Sequence, residues 1–101
     1  MNAEQKLRAN IKAAELLGLE YRIHDLSIVL SVRLFNTEKW RGFNIFDSSA
    51  DCLSVVKKLG EHLISIMPIN GGSQWYHDGT TEKRHYDTYE EAVAAALLEL
   101  K

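Results

Sequence analysis

The end of the chain constrains the fold most. Thr88-Tyr89-Glu90-Glu91 is a capping box, in which a threonine at the N-cap and a glutamate three residues on satisfy each other's free amides. Behind it, Tyr89, Ala92, Val93, Ala96, Leu97 and Leu100 recur at three- and four-residue spacing. That is the signature of a helix with one buried side. The alanines Ala94 to Ala96 let such a helix approach a sheet closely, while Leu98 falls outside the stripe, where it offers a point of self-association. A helix of this kind needs a surface to cover, and the preceding residues must build it.

The first segment is helical as well. Leu7, Ile11, Ala14 and Leu17 form a stripe, and Gly18 stands where a left-handed cap belongs, which predicts a helix over residues 3–17. Glu20 to His24 alternates polar and apolar, and Asp25-Leu26-Ser27 has turn composition. Ile28 to Phe35 is rich in side chains that suit a pleated surface, with Ile28, Leu30, Val32 and Leu34 on one face. Whether residues 20–35 make one strand or two is open at this level. Residues 36–47 read as a loop. Ser48 then caps a second helix, with Asp51 complementing its dipole, Leu53, Val56 and Leu59 as the inward stripe, Cys52 beside it, and Gly60 as the stop.

Residues 62–69 predict a strand. Asn70-Gly71 supplies the positive φ angles of a tight hairpin, and residues 73–77 return antiparallel. Pro68 lacks an amide to donate and marks an edge or a bulge. Asp78-Gly79 is a second hairpin dipeptide, so residues 80–86 are a candidate further strand. The order is α-β-β-α-β-β-(β)-α. This is the α+β class: an antiparallel β-sheet packed by helices, sandwich-like, with room for one helix on each face.

At 101 residues the chain makes a single domain, residues 1–101. Its charge of -2, from 12 basic and 14 acidic residues, provides neither the basic surplus of a general nucleic-acid binder nor the acidic surplus of a DNA mimic. The single cysteine precludes an internal disulfide and fits a reducing compartment. The first residues lack the apolar run of a leader, and no stretch reaches membrane-spanning length, so the expected location is the cytoplasm.

With the segments in place, the chain resembles the phage ABA-sandwich domain, a group of small proteins from tailed bacteriophages and prophages. The matching residues are Leu16-Leu17-Gly18-Leu19, Phe43-Asn44, the run Ala50-Asp51-Cys52-Leu53-Ser54-Val55-Val56-Lys57-Lys58-Leu59, the hairpin Gln74-Trp75-Tyr76, and the closing Tyr89 to Leu98. The resemblance spans nearly the whole chain and consists of packing residues. Residues 20–36 depart from the pattern, being longer and more strand-like. The resemblance implies a phage product acting in the bacterial host cytoplasm. It transfers no catalytic residue. Small accessory phage proteins often bind and block a host protein, and components of defence systems are among their targets, as with an anti-CRISPR or other anti-defence inhibitor.

No motif carries chemistry of its own. The histidines His24, His62, His77 and His85 form no HxH, HxxH or HExxH, and there is no CxxC. His77, Asp78 and His85 are the one set that a hairpin would bring together around a metal. Cys52 lies in a first helical turn, where the dipole favours a thiolate, yet beside an apolar stripe and next to Asp51, which opposes it. Gly71-Gly72 fits no phosphate-binding loop. The reading is of a protein that is not an enzyme and has no cofactor, with a small metal-dependent enzyme as an alternative.

A second alternative is an RNA, DNA or nucleotide binder. From Ser48 onward the order α-β-β-β-α matches double-stranded-RNA-binding domains, but Glu90 and Glu91 stand where those place lysines. Lys83-Arg84, and Lys39 with Arg41 around Trp40, are the basic candidates. The features that remain are aromatic. Trp40, Arg41, Phe43, Trp75 and Tyr76 are the candidate contact residues for a host protein, since tryptophan, tyrosine and arginine dominate interfaces.

Overall fold

The computed structural model describes residues 1–34, 37–79 and 84–100. Helix α1 spans Ala3–Leu16, followed by strands β1 (Glu20–Arg22), β2 (Leu30–Arg33) and β3 (Arg41–Phe43). Helix α2 spans Ser49–Glu61, β4 Ile66–Ile69, β5 Gln74–His77 and helix α3 Tyr89–Leu98. The class is α+β with antiparallel pairing throughout.

The strands are distributed differently from the sequence expectation. Residues 20–33 form two strands, joined through a turn in which Leu26 has φ 58°. The expected loop at residues 36–47 contains β3, which pairs with β2 as Leu30↔Phe43, Ser31↔Gly42 and Val32↔Arg41. Three residues, one of them glycine, are too few to show a period-two pattern. Of the further strand expected at residues 80–86, residues 80–83 lie outside the described residues, and Tyr86 makes a single bridge to Trp75.

One platform was expected; two sheets form. The first has order β1-β2-β3 and the second is the hairpin β4-β5. Helix α1 rests on β1 and β2, α3 rests on β4 and β5, and α1 and α3 pack on each other. Each sheet therefore has its own helix. The close α1–α3 contact is made possible by alanines buried on both helices, Ala9, Ala13 and Ala14 on one and Ala92 to Ala96 on the other. The core is completed by Leu30, Val32, Phe43, Ile45, Val55, Leu59, Val93 and Leu97.

Two stripes are shifted. On α1 the fully buried positions are Ala9, Asn10, Ala13 and Ala14, with Leu7, Ile11 and Leu17 only partly covered. On α2, Cys52, Val55 and Leu59 are buried, while Leu53 is 55% exposed. Both helices carry two overlapping apolar stripes, and the neighbouring elements select between them. Helix α2 also continues past Gly60 to Glu61, and the left-handed residue is Leu63, at φ 61°. Leu98 is partly buried against the core.

Two of the three expected caps form as read from the sequence. Ser48 accepts from the Asp51 amide, and Gly18 is left-handed at φ 71°. The Thr88 hydroxyl accepts from the Glu91 amide at 3.1 Å, but the Glu91 carboxylate takes the Thr88 hydroxyl at 3.2 Å in place of the Thr88 amide, so the expected reciprocal box is half formed. Asn2 and Gln5 do form a reciprocal box, at the start of α1. The β4–β5 turn takes positive φ at Asn70, Gly71 and Gly72, and spans four residues because Ile69 pairs with Gln74.

Candidate functional site

Alternation along the three-stranded sheet sorts its side chains by face. Leu30, Val32 and Phe43 point into the core. The opposite face carries Glu20 and Arg22 from β1, Ser31 and Arg33 from β2, and Gly42 from β3, in register as Glu20↔Arg33, Arg22↔Ser31 and Ser31↔Gly42. Trp40, just before β3, continues the parity of Gly42 and is half-buried. The Arg22 guanidinium lies over its ring at 4.1 Å from the centroid, and the Arg33 guanidinium at 4.5 Å. Arg33 is ion-paired to Glu20. His24 Nε2 lies 2.7 Å from the Ser31 hydroxyl. The result is an indole held by two cations, on the same face as a row of two small residues of which Ser31 is bonded to His24.

Beneath this sheet is a polar clamp. Asn10 of α1 is fully buried; its amide donates to the Ile28 carbonyl at 2.7 Å and to Asn44 Oδ1 at 3.1 Å, and its oxygen accepts from the Ile45 amide at 3.0 Å. Asp51, at the start of α2, accepts from the Asn44 amide at 3.1 Å and from Arg41 Nη1 at 2.9 Å. One set of bonds thus joins α1, the end of β3 and α2. An asparagine within an otherwise apolar helical face is the sequence signal for this, since a buried amide must find partners.

The five candidate contact residues separate. Trp40 is on the outer face. Arg41 belongs to the clamp through Asp51. Phe43 is 1% exposed and is a core residue, so it is withdrawn as a contact. Trp75 and Tyr76 are on the other sheet. Trp75 meets the Tyr89 ring edge-on at 5.0 Å, and its main chain exchanges two hydrogen bonds of 2.8 Å with Tyr86. The Tyr76 hydroxyl lies 3.5 Å from Met67 Sδ.

The other chemical candidates are dispersed or engaged. Buried His77 accepts the Gly79 amide at Nδ1, 3.1 Å away, and places Nε2 2.8 Å from Glu99 Oε2. Asp78 instead caps the Ser65 amide. His85 is exposed. Among the described residues no group of three His, Cys, Asp or Glu side chains is placed to hold a metal ion. The Cys52 thiol is pushed up to about 11 by burial, with Glu90 and Asp51 adding to it, so it stays protonated at neutral pH. Burial, then the Glu99 carboxylate, raises Tyr86; burial, then Cys52 and Glu90, raises Tyr89. Among the described residues no helix is long and apolar enough to cross a membrane. Between α2 and α3 the described residues form two strands, and Glu90 and Glu91 occupy the first turn of α3.

In comparisons with known proteins, no family model matches the chain, nor does a curated protein or a solved structure. The fold and the face together define an α+β domain with an outward cation–aromatic sheet surface.

Proposed function

We propose that the chain is a non-catalytic protein-binding module, a phage accessory protein that occupies a surface of a bacterial host protein in the cytoplasm and blocks it, with a defence-system component as the target. The phage context rests on the family resemblance. The contact face rests on one observation: Trp40 and its two arginines lie together on one sheet face, and among the described residues helix α1 packs against this sheet from the side of Leu30 and Val32. Tryptophan and arginine are the residues whose truncation most often abolishes an interface. Fixing them by stacking before a partner arrives reduces the ordering cost of binding.

The test is capture of host protein from lysate by the immobilised chain, read by mass spectrometry, with Trp40→Ala as the comparison. The expected result is a host protein retained by the wild type and lost by the variant, with the melting temperature shifted by only a few degrees. Equal retention by both would move the contact elsewhere.

The nucleic-acid reading has some support from the same cluster, because cations beside an aromatic ring also suit single strands. Two features oppose it. The indole is already covered by guanidinium groups, and the chain is net negative.

A further inference from the structure

We infer that the partner presents an extended acidic segment to this face, with a carboxylate on Arg22; the inference rests on the contact face proposed above. Charge pairing on the sheet is uneven. Glu20 neutralises Arg33 and Asp51 neutralises Arg41. Among the described residues no carboxylate pairs with exposed Arg22 or with exposed Lys39, which precedes Trp40. A guanidinium that lies over an indole keeps its in-plane N–H donors, and these match the two oxygens of a carboxylate. Arg22 is thus oriented and half-satisfied, with the complementary charge still to come.

The floor admits a chain. Arg22, Ser31 and Gly42 form one cross-strand row, so the two residues beside Arg22 are among the smallest available. A Cβ placed on Gly42 would meet only Val29 Cγ1, at 3.8 Å, so the absent side chain is not required by packing. The row is low at Gly42, between Val29 and the His24 ring that bonds Ser31, and an extended main chain carrying acidic side chains could lie across it beside Arg22. Base stacking on the indole would compete with the guanidinium groups that already lie over it.

The experiment is fluorescence anisotropy on the full chain with three labelled probes. These are a peptide alternating Glu and Val, its Gln-for-Glu counterpart, and an oligothymidine of similar length. The Glu peptide is expected to bind with salt sensitivity, and the Gln peptide at least about ten-fold more weakly, the scale of one well-placed charge pair. Arg22→Gln is expected to cost about the same factor, while Lys57→Gln on α2 changes nothing. Gly42→Val is expected to abolish binding with the melting temperature unchanged or raised, an outcome that a merely structural glycine would not give.

Equal binding of the Glu and Gln peptides, wild-type binding by Gly42→Val, or preference for the oligothymidine would each overturn the acidic-segment proposal. Lysate capture separates this from the broader reading. Capture that needs Trp40 but is not competed by the Glu peptide removes the acidic chemistry and keeps the face. Capture that does not need Trp40 removes both.

Discussion

The two tryptophans make the most instructive comparison in the molecule. In the sequence they are alike: each sits among polar or charged neighbours, and each reads as a contact residue. In the structure Trp75 is an internal joint. Its ring meets Tyr89 and its main chain bonds Tyr86, so it ties the β4–β5 hairpin to the segment that enters α3. Among the described residues, the ring contacts of Trp40 are with two arginine side chains of its own sheet. The difference comes from what covers each sheet. The hairpin leans on α3, whereas among the described residues the outer face of the three-stranded sheet has no helix over it. An aromatic residue becomes structural or available according to a neighbour far away in the chain.

That comparison can be broken most forcefully from below. Asn10→Leu removes both amide bonds and the acceptor for Ile45, and leaves buried main-chain groups unpaired; the expected loss is about 3 kcal/mol in urea denaturation. A loss under about 1 kcal/mol would mean that the clamp does not hold the sheet.

Trp75→Ala comes next. A half-buried aromatic joint is expected to cost about 2 kcal/mol, below the range for a fully buried ring. Arg41→Ala should cost about 1 kcal/mol, because Asp51 loses its partner although the guanidinium side is 57% exposed and screened by water. It is therefore unsuitable as a stability-neutral contact variant. Trp40→Ala should cost at most about 1 kcal/mol, the scale of exposed cation–π contacts. Should Trp40→Ala destabilise as much as Trp75→Ala, the distinction between joint and free face would be lost.

The smallest effect is alkaline. Cys52 ionises at about 11 in the folded chain against an ordinary 9.0, so below pH 9 the thiol is neutral in both states. Between these values the unfolded chain loses its proton first, and stability falls as pH rises through the window. Tyr86 and Tyr89 act in the same direction at higher pH. Cys52→Ala is expected to flatten the fall in melting temperature over that range, leaving the neutral-pH behaviour of both tryptophans unchanged.

Much of the fold is legible in the sequence because its signals are local. Thr88, Ser48, Gly18 and the Asn70-Gly71 turn act within a few residues, and each marks an element boundary or turn. The shifted stripes were not legible. Leu53 and Val55 are both apolar, and only the packing of α2 against the other helices decides which is buried. The site was legible in fragments. Alternation places Arg22 and Arg33 outward, but their meeting at Trp40 depends on β3, a strand of three residues without a readable period. Phe43 and Arg41 looked like members of one surface cluster, and the same strand turns the first inward and ties the second to Asp51.

The Asn10–Asn44–Asp51 clamp has a consequence for how this domain can change over time. It secures the three-stranded sheet through the side opposite the side chains of Arg22, Ser31, Arg33 and Trp40, none of which shares a hydrogen bond with it among the described residues. The foundation and the façade can therefore be rewritten separately. Selection, or a library designed on this scaffold, can retarget the outward residues toward new surfaces while three buried polar side chains keep the frame folded.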